Sequence, residues 1–450
     1  MIALERTSGR AVKTSRASTG GNMLVVWIAL VGMFFPPMLF SIGGTNFTPG
    51  RFVLILFLVP SLVLLLKGGR RSVASDFFAV AFVIWILLSS VLNGGFKPYV
   101  AAEALEFISA YLLGRAFIFG PAKLEMFIRA LKIIIIVIVA FALVDTFSGR
   151  HVTMDSFGLT PLQSLLNGNN EYRFGLVRAA SLFIGPEQNG TFCAMAASIF
   201  LYTERGAGRN WYVSLSVFGC ALALSSGPIM GLALITSLFF YDRCMQAYPW
   251  RWKLVVSAAI GGTLLIFVFS DQPIQWILVH MTLDPQTGFF RLGMWNYALP
   301  LVGQSPFIGY GLTQLGDSGE SKLYLWSVDS IWLVEVLRYG LPAAILLFLT
   351  MFSSSFARRT KPTLDRGARS VSTGLTLAIV AFGIVGLTVH FWDASWLFLN
   401  FCIGVRASLA EYKTLDCVLG HGSRPKHRMT GGDLVAEIGF SHRFGGSGHF

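Results

Sequence analysis

Three short segments hold the residues whose types and spacing suit chemistry. The stretch EYRFGLVRAASLFIGPEQNGTF (171–192) carries Arg173, Arg178 and Glu187. FFRLGMWNYALPLVGQSPFIGYGL (289–312) carries one cation, Arg291, with Trp295 at i+4 on the same helical face. WSVDSIWLVEVLRYG (326–340) carries Asp329, then Glu335 and Arg338. Arginine suits phosphate because its planar fork donates two parallel hydrogen bonds and keeps its charge. Several such groups near a lipid surface point to an anionic ligand, with a diphosphate-linked lipid the natural one. Blander roles compete. An interfacial Arg291 could simply snorkel to water. Glu335 and Arg338, spaced i, i+3, could neutralise each other. Asp329 and Ser330 both cap helices well. Glu103 and Glu106 also stand at i, i+3, with no cation near in sequence to answer them.

The elements that must position these residues are helices in lipid. Of the 450 residues, 54% are hydrophobic and only 13% charged, where a soluble domain carries roughly 25% charged. Apolar runs of about 17–25 residues recur, enough to cross a hydrocarbon core as helices. Barrel strands would alternate in short segments instead. Twelve spans are expected, at about 23–42, 51–67, 76–93, 98–119, 126–147, 184–203, 211–226, 228–241, 253–270, 328–351, 372–389 and 394–409. The seventh and eighth, joined by SSGP, could instead form one broken hairpin. The first run contains FFPPM and lacks a small-residue cleavage site, so it reads as a span rather than a signal peptide.

The net charge of +12 is a topology signal, not a nucleic-acid footprint. With the N-terminus in the cytoplasm, most Lys and Arg fall on the cytoplasmic side, in KGGRR, ARRTKPTLDRGARS and both tails. That arrangement predicts a cytoplasmic basic tail (1–22), a transmembrane domain (23–410) and a disordered, Gly- and His-rich cytoplasmic tail (411–450). The loops at about 148–183 and 271–327 would be external, the second with short interfacial helices in PIQWILVHM and FFRLGMWNYALPLV. The five cysteines form no CxxC or disulfide framework. No metal motif, P-loop or dinucleotide fingerprint appears, so no cofactor is expected.

In order and placement, these motifs resemble the bacterial O-antigen ligase and Wzy-type polysaccharide polymerase superfamily. The resemblance covers about residues 50–405. It rests on RAASLFIGPEQNGTF opening a mid-chain span, the SSGP helix pair, RLGMWNYALPLVGQSPFIGYGL, and VDSIWLVEVLRYGLPAA. It implies an all-α polytopic protein, GT-C-like, in the bacterial inner membrane with both termini cytoplasmic. It further implies metal-independent transfer of an undecaprenyl-diphosphate-linked glycan on the outer face of that membrane, alongside chain-length regulator and export proteins. Arg178 and Arg291 match the family positions expected to hold diphosphate. Asp329 stands where ligases typically show His, and this departure favours a polymerase, which joins lipid-linked repeats, over a ligase. Gly227-Pro228 departs from the Ser-Arg often found there. On this reading Arg178, Arg291 and Asp329 are catalytic, with Asp329 or Glu187 the base for the acceptor hydroxyl. Arg173, Glu187, Trp295 and Arg338 contact substrate.

Two other classes compete. A flippase or transporter predicts inverted repeats and charges lining a central path along many spans, and neither is evident. A structural subunit of an export complex would leave the external arginines replaceable.

Overall fold

The computed structural model describes residues 16–36, 38, 40–42, 45–67, 69–156, 172–270, 285–312, 328–355 and 366–422. The expected segment PIQWILVHM and the tail from 423 on lie outside them. Fifteen α-helices run in chain order: α1 (Arg16–Met33), α2 (Pro49–Lys67), α3 (Ala74–Leu92), α4 (Pro98–Phe117), α5 (Pro121–Ser148), α6 (Val152–Ser156), α7 (Pro186–Thr203), α8 (Gly206–Leu222), α9 (Ser226–Cys244), α10 (Arg251–Phe269), α11 (Pro285–Gln304), α12 (Ile331–Tyr339), α13 (Leu341–Phe352), α14 (Arg366–Val385) and α15 (Asp393–Gly422). Among the described residues, five helices are long and apolar enough to cross a membrane: Pro49–Lys67, Ala74–Leu92, Pro121–Ser148, Arg251–Phe269 and Gly367–Val385. A helix lies in each of the twelve expected stretches, with three differences.

The first helix stops at Met33, just before Pro36, whose ring nitrogen carries no proton to continue a helix. The chain then forms a two-stranded antiparallel ribbon, Phe40–Ile42 with Thr45–Phe47, where an all-α chain was expected. The last helix runs to Gly422, well past the expected boundary at 410. Glu411 explains the extension. It is fully buried, accepts from Arg70 Nε and the Arg71 backbone N–H at 2.7 Å each, and pairs with Arg115. Arg115 in turn binds Asp76, its Nε donating to Oδ1 at 3.0 Å, so this network ties α3, α4 and α15 together at one end.

The tenth expected span is two helices broken at Gly340, and the break is structural. Gly340 has φ of +83° with ψ of 172°, a region open essentially to glycine alone. A β-carbon there would sit 1.9 Å from the Phe307 carbonyl oxygen. The PFIGYG segment fills the gap. Tyr310 N–H donates to the Leu337 carbonyl (2.8 Å), Gly311 N–H to Arg338 (2.9 Å), and Leu341 N–H to Pro306 (2.8 Å). From α3, Ser89 Oγ and Asn93 Nδ2 both donate to the Ile308 carbonyl at 2.7 Å, and Trp85 Nε1 donates to Tyr339 at 2.8 Å. These glycines therefore serve a backbone junction. Gly340→Ala is expected to lower stability by about 1–3 kcal/mol, read as a lower melting temperature of the detergent-solubilised protein.

α7, whose first turn carries Glu187, is buried on nearly every side and packs on α8, α9 and α14. α4 and α15 cross at Gly114 and Gly404, where added β-carbons would lie 2.2 and 2.0 Å from the carbonyls of Phe401 and Tyr111. Small residues let helix backbones approach this closely in lipid, where packing replaces a hydrophobic drive.

Candidate functional site

The segment entering α7 is held rigidly. Residues Tyr172–Arg173 and Leu176–Val177 pair as a short antiparallel ribbon. Arg173 Nη1 donates to the Leu224 carbonyl at 2.9 Å, in the turn between α8 and α9. Ala179 N–H bonds the Leu222 carbonyl at 3.0 Å, and Asn189 Nδ2 returns to the Ala179 carbonyl at 2.9 Å. Asp145, buried near the end of α5, accepts from Ser181 N–H at 2.7 Å and from Val152 N–H at 3.0 Å. Sequence reading passed over Asp145; the signal was a lone carboxylate ending an apolar run. Asp145 also lies 3.8 Å from His151 Nδ1.

On this frame Arg178 is only 4% exposed and forms an ion pair with Glu187 in the first turn of α7. A carboxylate is favoured at a helix N-terminus by the backbone dipole. The Arg178 guanidinium is thereby fixed against the start of α7.

Arg291, on α11, is 5% exposed. Burial pushes its guanidinium below the ordinary value; the carboxylates of Asp329 and Glu187 oppose that shift, while Arg173 and Arg178 add to it. Residues more than a hundred positions apart thus act on one another directly. Arg291 thus lies within electrostatic range of two carboxylates, Asp329 and Glu187, and of two further guanidinium groups, Arg173 and Arg178.

Asp329 is half-buried, and its backbone N–H points at Met294 Sδ, 3.0 Å away. The cap of α12 is Ser330: its Oγ accepts from Leu333 N–H at 3.3 Å and donates to the Gly386 carbonyl at 3.1 Å. Helix capping therefore does not account for Asp329. Trp295 packs beside Met294, Ala298, Leu333 and Leu337, with its Nε1 buried and bonded to nothing among the described residues.

Arg338 does not join this cluster. It lies nine residues beyond Asp329, on the order of 13 Å along the helix, and faces Glu103 at 3.7 Å and the Tyr99 ring at 5.8 Å. Tyr339 hydroxyl donates to Glu103 Oε2 at 2.6 Å. The cation that answers Glu103 is thus Arg338, and the one that answers Glu106 is Arg51. Both come from other helices, which sequence neighbours could not show. The expected neutralisation of Glu335 by Arg338 gives way to the Arg338–Glu103 pair.

Among the described residues, no three His, Cys, Asp or Glu side chains gather as a metal site. The fold defines the class only broadly, as a helical protein with apolar helices of membrane-crossing length. No model of a known protein family matches the chain, and none of the curated proteins compared matches it either.

Proposed function

We propose that this protein polymerises undecaprenyl-diphosphate-linked oligosaccharide repeats on the periplasmic face of a bacterial inner membrane. The frame of the proposal is a GT-C-like bundle of about twelve spans with both termini cytoplasmic. The observation that carries it is that buried Arg291 lies within electrostatic range of Asp329 and Glu187, with Arg178 paired to Glu187 beside them. In the reaction, an acceptor hydroxyl attacks the anomeric carbon of the donor sugar, and the bond from that carbon to the diphosphate oxygen breaks. The hydroxyl proton passes to Asp329. Arg291 and Arg178 stabilise the charge growing on the departing diphosphate, in a setting where preformed donors act more strongly than water. The polyprenyl chain stays in lipid, so an arginine at the interface meets its ligand there.

Deleting the gene and analysing lipid-linked glycans tests this reading. Accumulated single repeats are the expected result. Long lipid-linked polymer that never reaches its final acceptor would instead indicate a ligase, and repeats trapped on the cytoplasmic side a flippase.

A further inference from the structure

A second polar cluster sits farther along α12, and its charges do not balance. Glu335 is 1% exposed, and its Oε2 is buried with no hydrogen-bond partner among the described residues. The neighbouring Glu103 already has two partners, Arg338 and the Tyr339 hydroxyl. The Glu335 carboxyl lies within electrostatic range of both Glu103, which repels its charge, and Arg338, which attracts it. Two carboxylates thus share one guanidinium, and the second keeps an oxygen without a hydrogen bond among the described residues.

Among the described residues, the elements packed around α12 supply no further cation to Glu335. α13 and the half of α3 that contacts α12 contain no titratable residue. α4 contributes Tyr99 and Glu103. The segment after α14 contributes His390, which burial, and secondarily Arg338, disfavour as a cation. Arg291 of α11 acts on the cluster around Asp329 instead, and Arg51 is committed to Glu106. Leaving an unpaired carboxylate in a desolvated bundle is costly. A carboxylic acid in the same place is neutral and leaves the Arg338–Glu103 pair balanced.

We propose that Glu335 carries a bound proton, making this cluster a proton-binding site inside the bundle, distinct from the anion site at Arg178 and Arg291. The site does not depend on what the anion site binds. A proton held by the folded chain and lost from the unfolded one makes stability fall as pH rises. Stability therefore declines as pH rises above the ordinary carboxylate range.

The test compares the parental protein with Glu335→Gln and Glu103→Gln, all purified in detergent. Infrared difference spectra at neutral pH should show a protonated-carboxyl carbonyl band in the parent that Glu335→Gln lacks. Glu335→Gln, a neutral isostere, should melt where the parent does at acid pH and progressively above it as pH rises through neutral, because it lacks the parental decline in melting temperature. Glu103→Gln removes the repulsion, so the band should disappear at lower pH than in the parent. The proposal is overturned if Glu335→Gln removes no such band. It is equally overturned if that variant fails to fold or is strongly destabilised at neutral pH, since that is the behaviour of an ionised partner of Arg338.

Discussion

A protein carrying Asp329→Asn is expected to make polymer at about a hundredth of the parental rate or less, with binding of lipid-linked substrate nearly intact. Asparagine keeps the shape of the side chain and most of its hydrogen bonds but cannot take a proton. Because Ser330 caps α12, a loss in this variant cannot be assigned to a weakened helix start. Asp329 also acts on Arg291 electrostatically, so a second role is to aim that guanidinium. The aiming role predicts a smaller loss of rate and a larger loss of affinity. Polymer output and substrate binding, measured in the same membranes, separate the two. Full activity would end both.

Arg291→Lys is expected to reduce polymer formation roughly ten- to a hundredfold, from losing one charge-assisted contact worth about 1.5–3 kcal/mol. Lysine retains the charge, but an ammonium is a point donor and cannot span two phosphate oxygens as the guanidinium fork does. Arg291→Ala should be at least as damaging. Its burial at 5% exposure already argues against a side chain that merely reaches for water. Parental output from Arg291→Ala at normal expression would restore the snorkelling reading and remove the diphosphate site with it.

The helical class and the approximate location of the long helices were legible in the sequence because both are local properties. Long apolar runs interrupted by Gly, Pro and charge mark helices wherever the rest of the chain goes. Arg173, Arg178, Glu187, Arg291 and Asp329 also stood out in the sequence as scarce charges beside apolar spans; the structure pairs Arg178 with Glu187 and puts Arg291 within electrostatic range of the other four. Asp145 was harder to read, since its partners Ser181 and Val152 bond through backbone amides that no residue type announces.

Sequence by itself therefore determined which segments are helical and which few side chains carry charge among them. Only the tertiary structure decided who answers whom. Glu103 meets Arg338 from α12 and Glu106 meets Arg51 from α2, although Arg338 sits one turn from Glu335 on its own helix. Glu411 is a buried keystone between α3 and α4, although it reads as the start of a polar tail. The tenth helix breaks at Gly340 because the Phe307 carbonyl occupies the space a side chain would need. The physical reason is common to all three. An ion pair or a backbone junction is set by where helices pack in space, and hydropathy along the chain records how deeply a residue is buried but not which distant group lies beside it.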